Sequence, residues 1–168
     1  MTHAQAIVLT GPSSTGKSSA AREIVRSWVL PSVILDADVV LGTFPPNRYR
    51  DLADGALNEG LFRAAAGFLD AGISVVVEQV FWKPEWAADA ERVLASHKRW
   101  FFLLTCNQEV AGRREATRTD REPGTHVNQR KLEWQQLSID AIIDTSRMTP
   151  QVVAREILRH IGLNEKTP

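Results

Sequence analysis

The sequence has little cysteine, no net charge and no long hydrophobic run. Its single cysteine, Cys106, excludes an intrachain disulfide framework, and we expect it to be a small buried side chain in a reducing cytoplasm. Twenty basic residues balance twenty acidic ones, so no global field attracts nucleic acid or an anionic membrane. No stretch approaches the roughly 18 consecutive apolar residues of a membrane span, and the N-terminus has no signal-peptide pattern. We therefore expect a cytoplasmic protein without a nucleic-acid or membrane partner.

Metal-ligand spacing and internal repeats are also missing. The four histidines are scattered along the chain, and no low-complexity tract or second-domain boundary interrupts it. A chain of 168 residues is long enough to bury one sizeable core. We expect a single domain over residues 1–168, with an oligomeric state that the sequence does not reveal.

Apolar strand signals alternate with helical ones throughout the chain. This alternation predicts a parallel sheet of five strands covered by helices on both faces, a three-layer α/β/α fold. In such folds, ligands bind beyond the carboxyl ends of the strands. The predicted strands are 6–10, 33–35, 73–77, 100–105 and 139–145, and the predicted helices are 17–29, 57–71, 84–96 and 149–160.

A glycine-bounded motif follows the first predicted strand. The string "GPSSTGKS" over residues 11–18 matches G-x-x-x-x-G-K-[ST], a loop whose backbone N–H groups surround a phosphate chain. The helix after it would add its free N–H groups, Lys17 would reach the β and γ oxygens, and Ser18 would bind Mg²⁺. The alternative is a turn rich in small residues that caps this helix through Ser13 or Thr15. The predicted nucleotide-binding residues of this P-loop (residues 11–19) are Gly11, Pro12, Ser13, Ser14, Thr15, Gly16, Lys17, Ser18 and Ser19.

Carboxylates follow the second and third predicted strands. In "LDADVV", strand alternation would place Asp36 and Asp38 on one side, beside the P-loop. We favour Asp38 as the group that orients an acceptor hydroxyl and takes its proton, with Asp36 as support or metal ligand. The alternative is that one of the two carboxylates caps the next helix. Glu78, after the third strand, is a further candidate near Mg²⁺, or else an ion-pair partner of an arginine of the lid that follows the fourth strand.

An arginine-dense segment follows the fourth predicted strand. The string "GRREATRTDREPG" predicts a short lid over about residues 112–127 that closes over nucleotide and excludes water. Arg118 and Arg121 are the predicted phosphate contacts and catalytic cations, and Arg114 is predicted to face the adenine. The alternative is a solvated helix face whose arginines are neutralised by nearby glutamates.

Aromatic residues flank the side of the site where an acceptor would bind. Phe81 and Trp82 follow Glu78 closely in the chain and suit either an acceptor pocket or the core.

Four stretches in this order resemble the chloramphenicol phosphotransferase-like group of P-loop kinases. They are "IVLTGPSSTGKSS", "LDADVV", "VVVEQVFW" and "RREATRTDREPGTHVNQRKLEWQQLSIDAIIDTS", somewhat over a third of the chain. The resemblance implies transfer of the γ-phosphoryl group of ATP, with Mg²⁺, to a small-molecule hydroxyl. It also implies that Asp38 matches the family's proposed base.

Two departures keep the acceptor open. Chloramphenicol-modifying members typically carry paired aspartates after the third strand, where this chain has Glu78 and Gln79, and the loop over 41–55 is unlike theirs. The remaining acceptor classes are an antibiotic hydroxyl, a nucleoside or nucleotide, and a sugar or sugar-nucleotide as in zeta-toxin-type kinases. A nucleotide-binding switch that transfers phosphate to no acceptor is the alternative outside the kinases.

Overall fold

Five strands of the described chain form one parallel sheet. The computed structural model describes residues 4–45, 48, 54–117, 125–129 and 138–163. The strands are β1 (Gln5–Thr10), β2 (Ser32–Asp36), β3 (Ser74–Glu78), β4 (Lys98–Thr105) and β5 (Ala141–Asp144). Their order across the sheet is β2-β3-β1-β4-β5, with every neighbouring pair parallel. The predicted five-stranded parallel sheet is therefore confirmed.

Helices connect the strands. They are α1 (Lys17–Ser27), α2 (Ala37–Gly42), α3 (Ala56–Asp70), α4 (Pro84–Val93), α5 (Gln108–Ala116), α6 (Thr125–Gln129) and α7 (Pro150–His160). Helix α2 was not predicted, because its residues were interpreted as a strand end followed by a loop. Among the described helices, none has the length and apolar character needed to cross a membrane.

The core lies on both faces of the sheet because alternate residues of a strand point to opposite sides. Ile7 and Leu9 of β1 are fully buried in an apolar cluster that also contains residues of α1 and α7. Ala6 and Val8, equally buried, belong to a second cluster with residues of α3 and α4. Helices therefore cover both faces, which confirms the predicted three-layer α/β/α arrangement.

The carboxyl ends of the strands open onto one edge of the sheet. β1 runs beside β3 with Leu9 opposite Glu78, and beside β4 with Thr10 opposite Leu103. β2 runs beside β3 with Asp36 opposite Glu78. Because all strands point the same way, the segments that follow them meet at this edge.

Candidate active site

Glycines are required at two positions of the P-loop for different reasons. Gly11 has φ +126°, and a Cβ there would lie 2.1 Å from the backbone oxygen of Leu104 in β4. Gly16 has φ +94°, but the nearest atom to an added Cβ is Nη1 of Arg114 at 3.8 Å. Position 11 thus requires glycine because a side chain would collide with the sheet, whereas position 16 favours glycine because of its positive φ angle.

Side chains hold the carbonyl oxygens of the P-loop. Lys17 Nζ donates to the carbonyl oxygens of Gly11 at 2.8 Å and Pro12 at 2.9 Å. Thr15 Oγ1 also donates to Pro12 O, at 2.9 Å, and Thr145 Oγ1 donates to Thr15 O at 2.7 Å. Because these carbonyls face protein donors, the N–H groups of the loop are the ones suited to an anion.

Buried hydroxyls in and before the P-loop lack partners among the described residues. Thr10 Oγ1, Ser13 Oγ and Ser14 Oγ are buried without a hydrogen bond, although buried polar groups are normally satisfied. Helix α1 begins after Gly16 without a side-chain cap, so its first N–H groups are also suited to a phosphate. These observations fit a bound phosphate chain better than a self-capped turn.

A cavity of about 570 Å³ opens in front of the P-loop. Within the described chain it brings together the predicted nucleotide-binding, metal-binding and catalytic residues except Gly11 and Pro12. The predicted residues that line it are Ser13, Ser14, Thr15, Gly16, Lys17, Ser18, Ser19, Asp36, Asp38, Glu78 and Arg114. The predicted catalytic residues Arg118 and Arg121 lie outside the described residues.

Asp36 and Asp38 differ in structural role, and the predicted strand alternation between them is wrong. β2 ends at Asp36, whose Oδ1 caps α2 by accepting the backbone N–H of Asp38 at 2.8 Å and of Val39 at 3.4 Å. Asp38 therefore lies in the first turn of α2 rather than on a strand. The cap arises because Asp competes well for the free N–H groups at a helix start. Both carboxylates nevertheless line the same cavity.

Glu78 is buried at the end of β3, next to Ser18. Burial raises the pKa of its carboxyl from 4.5 to about 7, and the negative charge of Asp36 adds to the rise. The hydrogen bond with Ser18 and the positive charges of Lys17 and Arg22 oppose it. The described contacts therefore join Glu78 to the first residues of α1. The alternative of an ion pair with a lid arginine stays a prediction where it concerns Arg118 and Arg121, which lie outside the described residues.

The oxygen donors at this point suit Mg²⁺. Ser18 and Glu78 are hydrogen-bonded, and Asp36 lies close enough to affect the carboxyl of Glu78. Hard oxygen ligands of this kind, together with phosphate oxygens and water, are those that Mg²⁺ prefers. Across the described residues, no group of three or more His, Cys, Asp and Glu side chains forms a metal site by itself. Ser18 and Glu78 thus fit a cation that is also bound by phosphate oxygens and water.

Arg114 of α5 lies against the P-loop. Its Nη1 donates to Thr145 Oγ1 at 3.1 Å and Ser14 O at 3.4 Å, and its Nη2 donates to Thr145 O at 3.0 Å. The neighbouring Arg113 instead forms an exposed pair with Glu109 on the same helix, as the charged-face alternative predicts. Of these two arginines, only Arg114 reaches the site.

The aromatic candidates separate into core and surface. Phe81 is buried and stacks on Phe62 at a ring-centroid distance of 6.0 Å, so it belongs to the core. Trp82 is 49% exposed and stays a candidate for contact with an acceptor.

Several residues at the site were missed by the sequence analysis. Arg22 lines the cavity one helical turn after Ser18, a position that helical spacing alone reveals. Thr145 follows β5, where the strand-end rule points, but its bonds to the P-loop depend on tertiary structure. Gln79 donates to Asn58 Oδ1 at 3.1 Å, and Gln129 accepts a bond from Ser13. No local pattern marks these last contacts, which join residues distant in the chain.

Solved structures with a similar fold include two kinases and a resistance protein. The Mycobacterium tuberculosis APS kinase in complex with AMPPNP and APS superposes with a TM-score of 0.73 at 18% identity, covering 96% of this chain and 99% of that one. The Deinococcus radiodurans tunicamycin resistance protein gives a TM-score of 0.73 at 17% identity, over 99% and 100% of the two chains. A gluconokinase from Sinorhizobium meliloti 1021 gives 0.67 at 21% identity, over 96% and 94%. At these identities the likeness shows the fold alone.

Sequence comparison is more specific. A Mycobacterium tuberculosis protein that carries the provisional name O-phosphotransferase is 31% identical over 96 residues, which is 57% of this chain and 43% of that protein. The chain thus spans less than half the length of this curated relative. The profile of the family described as "Chloramphenicol phosphotransferase-like protein" matches residues 4–162. The chain therefore belongs to the chloramphenicol phosphotransferase-like protein family, as its four sequence stretches predict.

Proposed function

We propose that the chain is a phosphotransferase that moves the γ-phosphoryl group of ATP, in the presence of Mg²⁺, to a hydroxyl of a small molecule. The observation that carries the proposal is the cavity that Lys17 of the P-loop shares with the Asp38 carboxylate. A phosphate chain in the P-loop and a hydroxyl beside Asp38 would occupy the same open cavity. Family membership supports the same reaction class.

The chain's residues would act mainly by positioning and by balancing charge. The P-loop N–H groups and Lys17 would hold the β and γ phosphates. Ser18 and Glu78 are the residues that would hold Mg²⁺, which offsets the charge that develops on the phosphates when bound. Arg118 and Arg121 are proposed to add positive charge from the lid, and Arg114 to border the nucleotide.

Asp38 would accept the proton of the attacking hydroxyl. The hydroxyl oxygen then forms a bond to the γ-phosphorus, while the bond from that phosphorus to the β–γ bridging oxygen breaks. The products are ADP and a phosphorylated acceptor. Asp36, which caps α2 beside Asp38, would hold the helix in place.

The acceptor is proposed to be one of three classes: an antibiotic, a nucleoside or nucleotide, or a sugar or sugar-nucleotide. The protein should be incubated with ATP and Mg²⁺ against a panel containing chloramphenicol, tunicamycin, gluconate, APS and nucleosides, and ADP release followed. One acceptor class is expected to stimulate release. Asp38→Asn should lower the stimulated rate about 10²- to 10⁴-fold while ATP binding persists.

Asp89→Asn is the matched control, because Asp89 is a carboxylate of α4 that pairs with Arg92 at the surface. Asp89→Asn should leave ADP release unchanged both with and without the acceptor. ATP turnover that no acceptor stimulates and that Asp38→Asn leaves intact would contradict the proposal. That result would favour a nucleotide-binding switch.

A further inference from the structure

Gln129, the last residue of α6, is buried against the P-loop. Its side chain is 2% exposed, and its Oε1 accepts a hydrogen bond from the backbone N–H of Ser13 at 2.5 Å. The two residues are 116 positions apart in the chain, and α6 also packs beside α5, which carries Arg114. The bond therefore joins the segment after the arginine-rich region directly to the phosphate-binding backbone.

This contact uses a backbone donor of the kind that such loops offer to phosphate. The Ser13 N–H points at a neutral amide oxygen of the protein, so it is a fixed point of the loop in this structure. The next residue, Ser14, has φ +62°, a conformation that a non-glycine residue keeps only where its surroundings enforce it. Arg114 Nη1 donates to Ser14 O at 3.4 Å, so both Ser13 and Ser14 are held by side chains from distant parts of the chain.

We propose that Gln129 is a positioning residue of the P-loop, which holds the Ser13 N–H so that the following N–H groups face the nucleotide. The proposal rests on the proposed function, in which this loop binds ATP. Gln129 itself need not touch the phosphates. The bond links the position of α6 to the conformation of the loop.

The test compares variants that keep or remove the acceptor oxygen. Gln129→Met keeps the length of the side chain but removes the oxygen that accepts the Ser13 N–H, whereas Gln129→Glu keeps such an oxygen. Asn128→Met is the matched control, because Asn128 is the adjacent amide residue of α6 and is exposed. For each protein, exchange of the Ser13 amide hydrogen is followed by NMR without nucleotide. The Kd for ATP is measured in the absence of any phosphate-accepting substrate.

Gln129→Met should speed exchange of the Ser13 amide and weaken ATP binding, each by about fivefold, the effect of one hydrogen bond. Gln129→Glu should keep slow exchange at Ser13, and Asn128→Met should match the wild type in both measurements. If Gln129→Met does not fold, Gln129→Asn, which withdraws the oxygen by one methylene, takes its place.

Two results would overturn the role of Gln129. One is that the Ser13 amide hydrogen exchanges in Gln129→Met at the same rate as in the wild type. The other is that it exchanges faster in Gln129→Met while the Kd for ATP is unchanged. Failure of the wild-type protein to bind ATP at all would instead contradict the proposed function. The two failures are distinguishable because nucleotide binding by the wild type is measured first.

Discussion

Glu78 makes the stability of the ligand-free protein depend on pH. Its pKa is raised from 4.5 to about 7 by burial, opposed by Ser18, Lys17 and Arg22. Below pH 4.5 the carboxyl is protonated in both the folded and the unfolded chain, so its burial does not lower the free energy of unfolding through loss of a proton. As the pH rises to about 7, the unfolded chain loses this proton while the folded chain keeps it. The free energy of unfolding therefore falls across this window.

Glu78→Gln should remove this cost and keep a partner for Ser18. We expect the variant to be more stable than the wild type at pH 8, on the order of 2 kcal/mol, and to lose most of that gain at pH 5. Urea unfolding at the two pH values, without nucleotide or metal, measures the difference. Glu85→Gln, at an exposed position of α4, is the control. An equal gain at both pH values would show that the carboxyl does not titrate as described.

The residues around Glu78 illustrate what the sequence reveals at this scale. The P-loop could be predicted because its glycines, lysine and serine act within eight consecutive residues. Glu78 was predicted near Mg²⁺ from its place after a strand. Its raised pKa could not be predicted, because it depends on burial between β3 and α1, which the fold creates.

Helix α2 determines where Asp38 lies relative to the P-loop. The helix is six residues long and begins with the Asp36 cap, and a helix this short depends strongly on its cap and its packing. From the sequence, capping by one of the two aspartates was an alternative, and alternation along a strand was the preferred prediction. That prediction was wrong because β2 ends at Asp36 and a helix begins directly after it. The free N–H groups of this helix start, which the Asp36 side chain binds, cannot be located until the end of the strand is known.

Asp36→Ala and Asp36→Ser separate the cap from the carboxylate. Alanine should cost about 1 kcal/mol of stability and lower acceptor-dependent ADP release on the order of 10-fold or more, because α2 no longer holds Asp38 in place. Serine caps a helix start without a negative charge and should retain most of the rate. ADP release and the Kd for ATP are measured for both variants. Equal loss in both variants would show that the carboxylate itself is required, as for the predicted metal ligand.

Lys17 is expected to connect nucleotide binding to the stability of the whole molecule. ATP with Mg²⁺ at 100 times its Kd should stabilise the wild type by about 2.7 kcal/mol, which is a rise in Tm of about 5 to 10 °C. Lys17→Ala should remove most of this rise, since the β and γ phosphates lose their cation. Thermal unfolding with and without ATP measures it.

Lys98→Ala is the control for Lys17, because Lys98 lies on β4 over the Trp100 ring, at the opposite end of its strand from the site. It should keep the full rise in Tm. Protection by ATP that survives in Lys17→Ala would show that the P-loop is wrongly assigned.

At the scale of the whole molecule, the fold followed from the sequence more fully than the site did. Only a few parallel-sheet arrangements of alternating strands and helices bury both faces of β1. The three layers could therefore be predicted from the sequence. The bonds of Thr145 and Gln129 to the P-loop could not, because each joins residues more than 100 positions apart. Such contacts depend on where loops end in space, which local patterns do not encode.

The central place of β1 has a consequence for synthesis of the chain on the ribosome. Residues 5–10 are made before both of their neighbours in the sheet, which end at Glu78 and Thr105. Until the second neighbour has emerged, one edge of a fully buried apolar strand is left without its partner. Nascent chains that stop before β4 therefore carry an unpaired, aggregation-prone edge. The close approach of Gly11 in the P-loop to Leu104 likewise cannot form until β4 has been made.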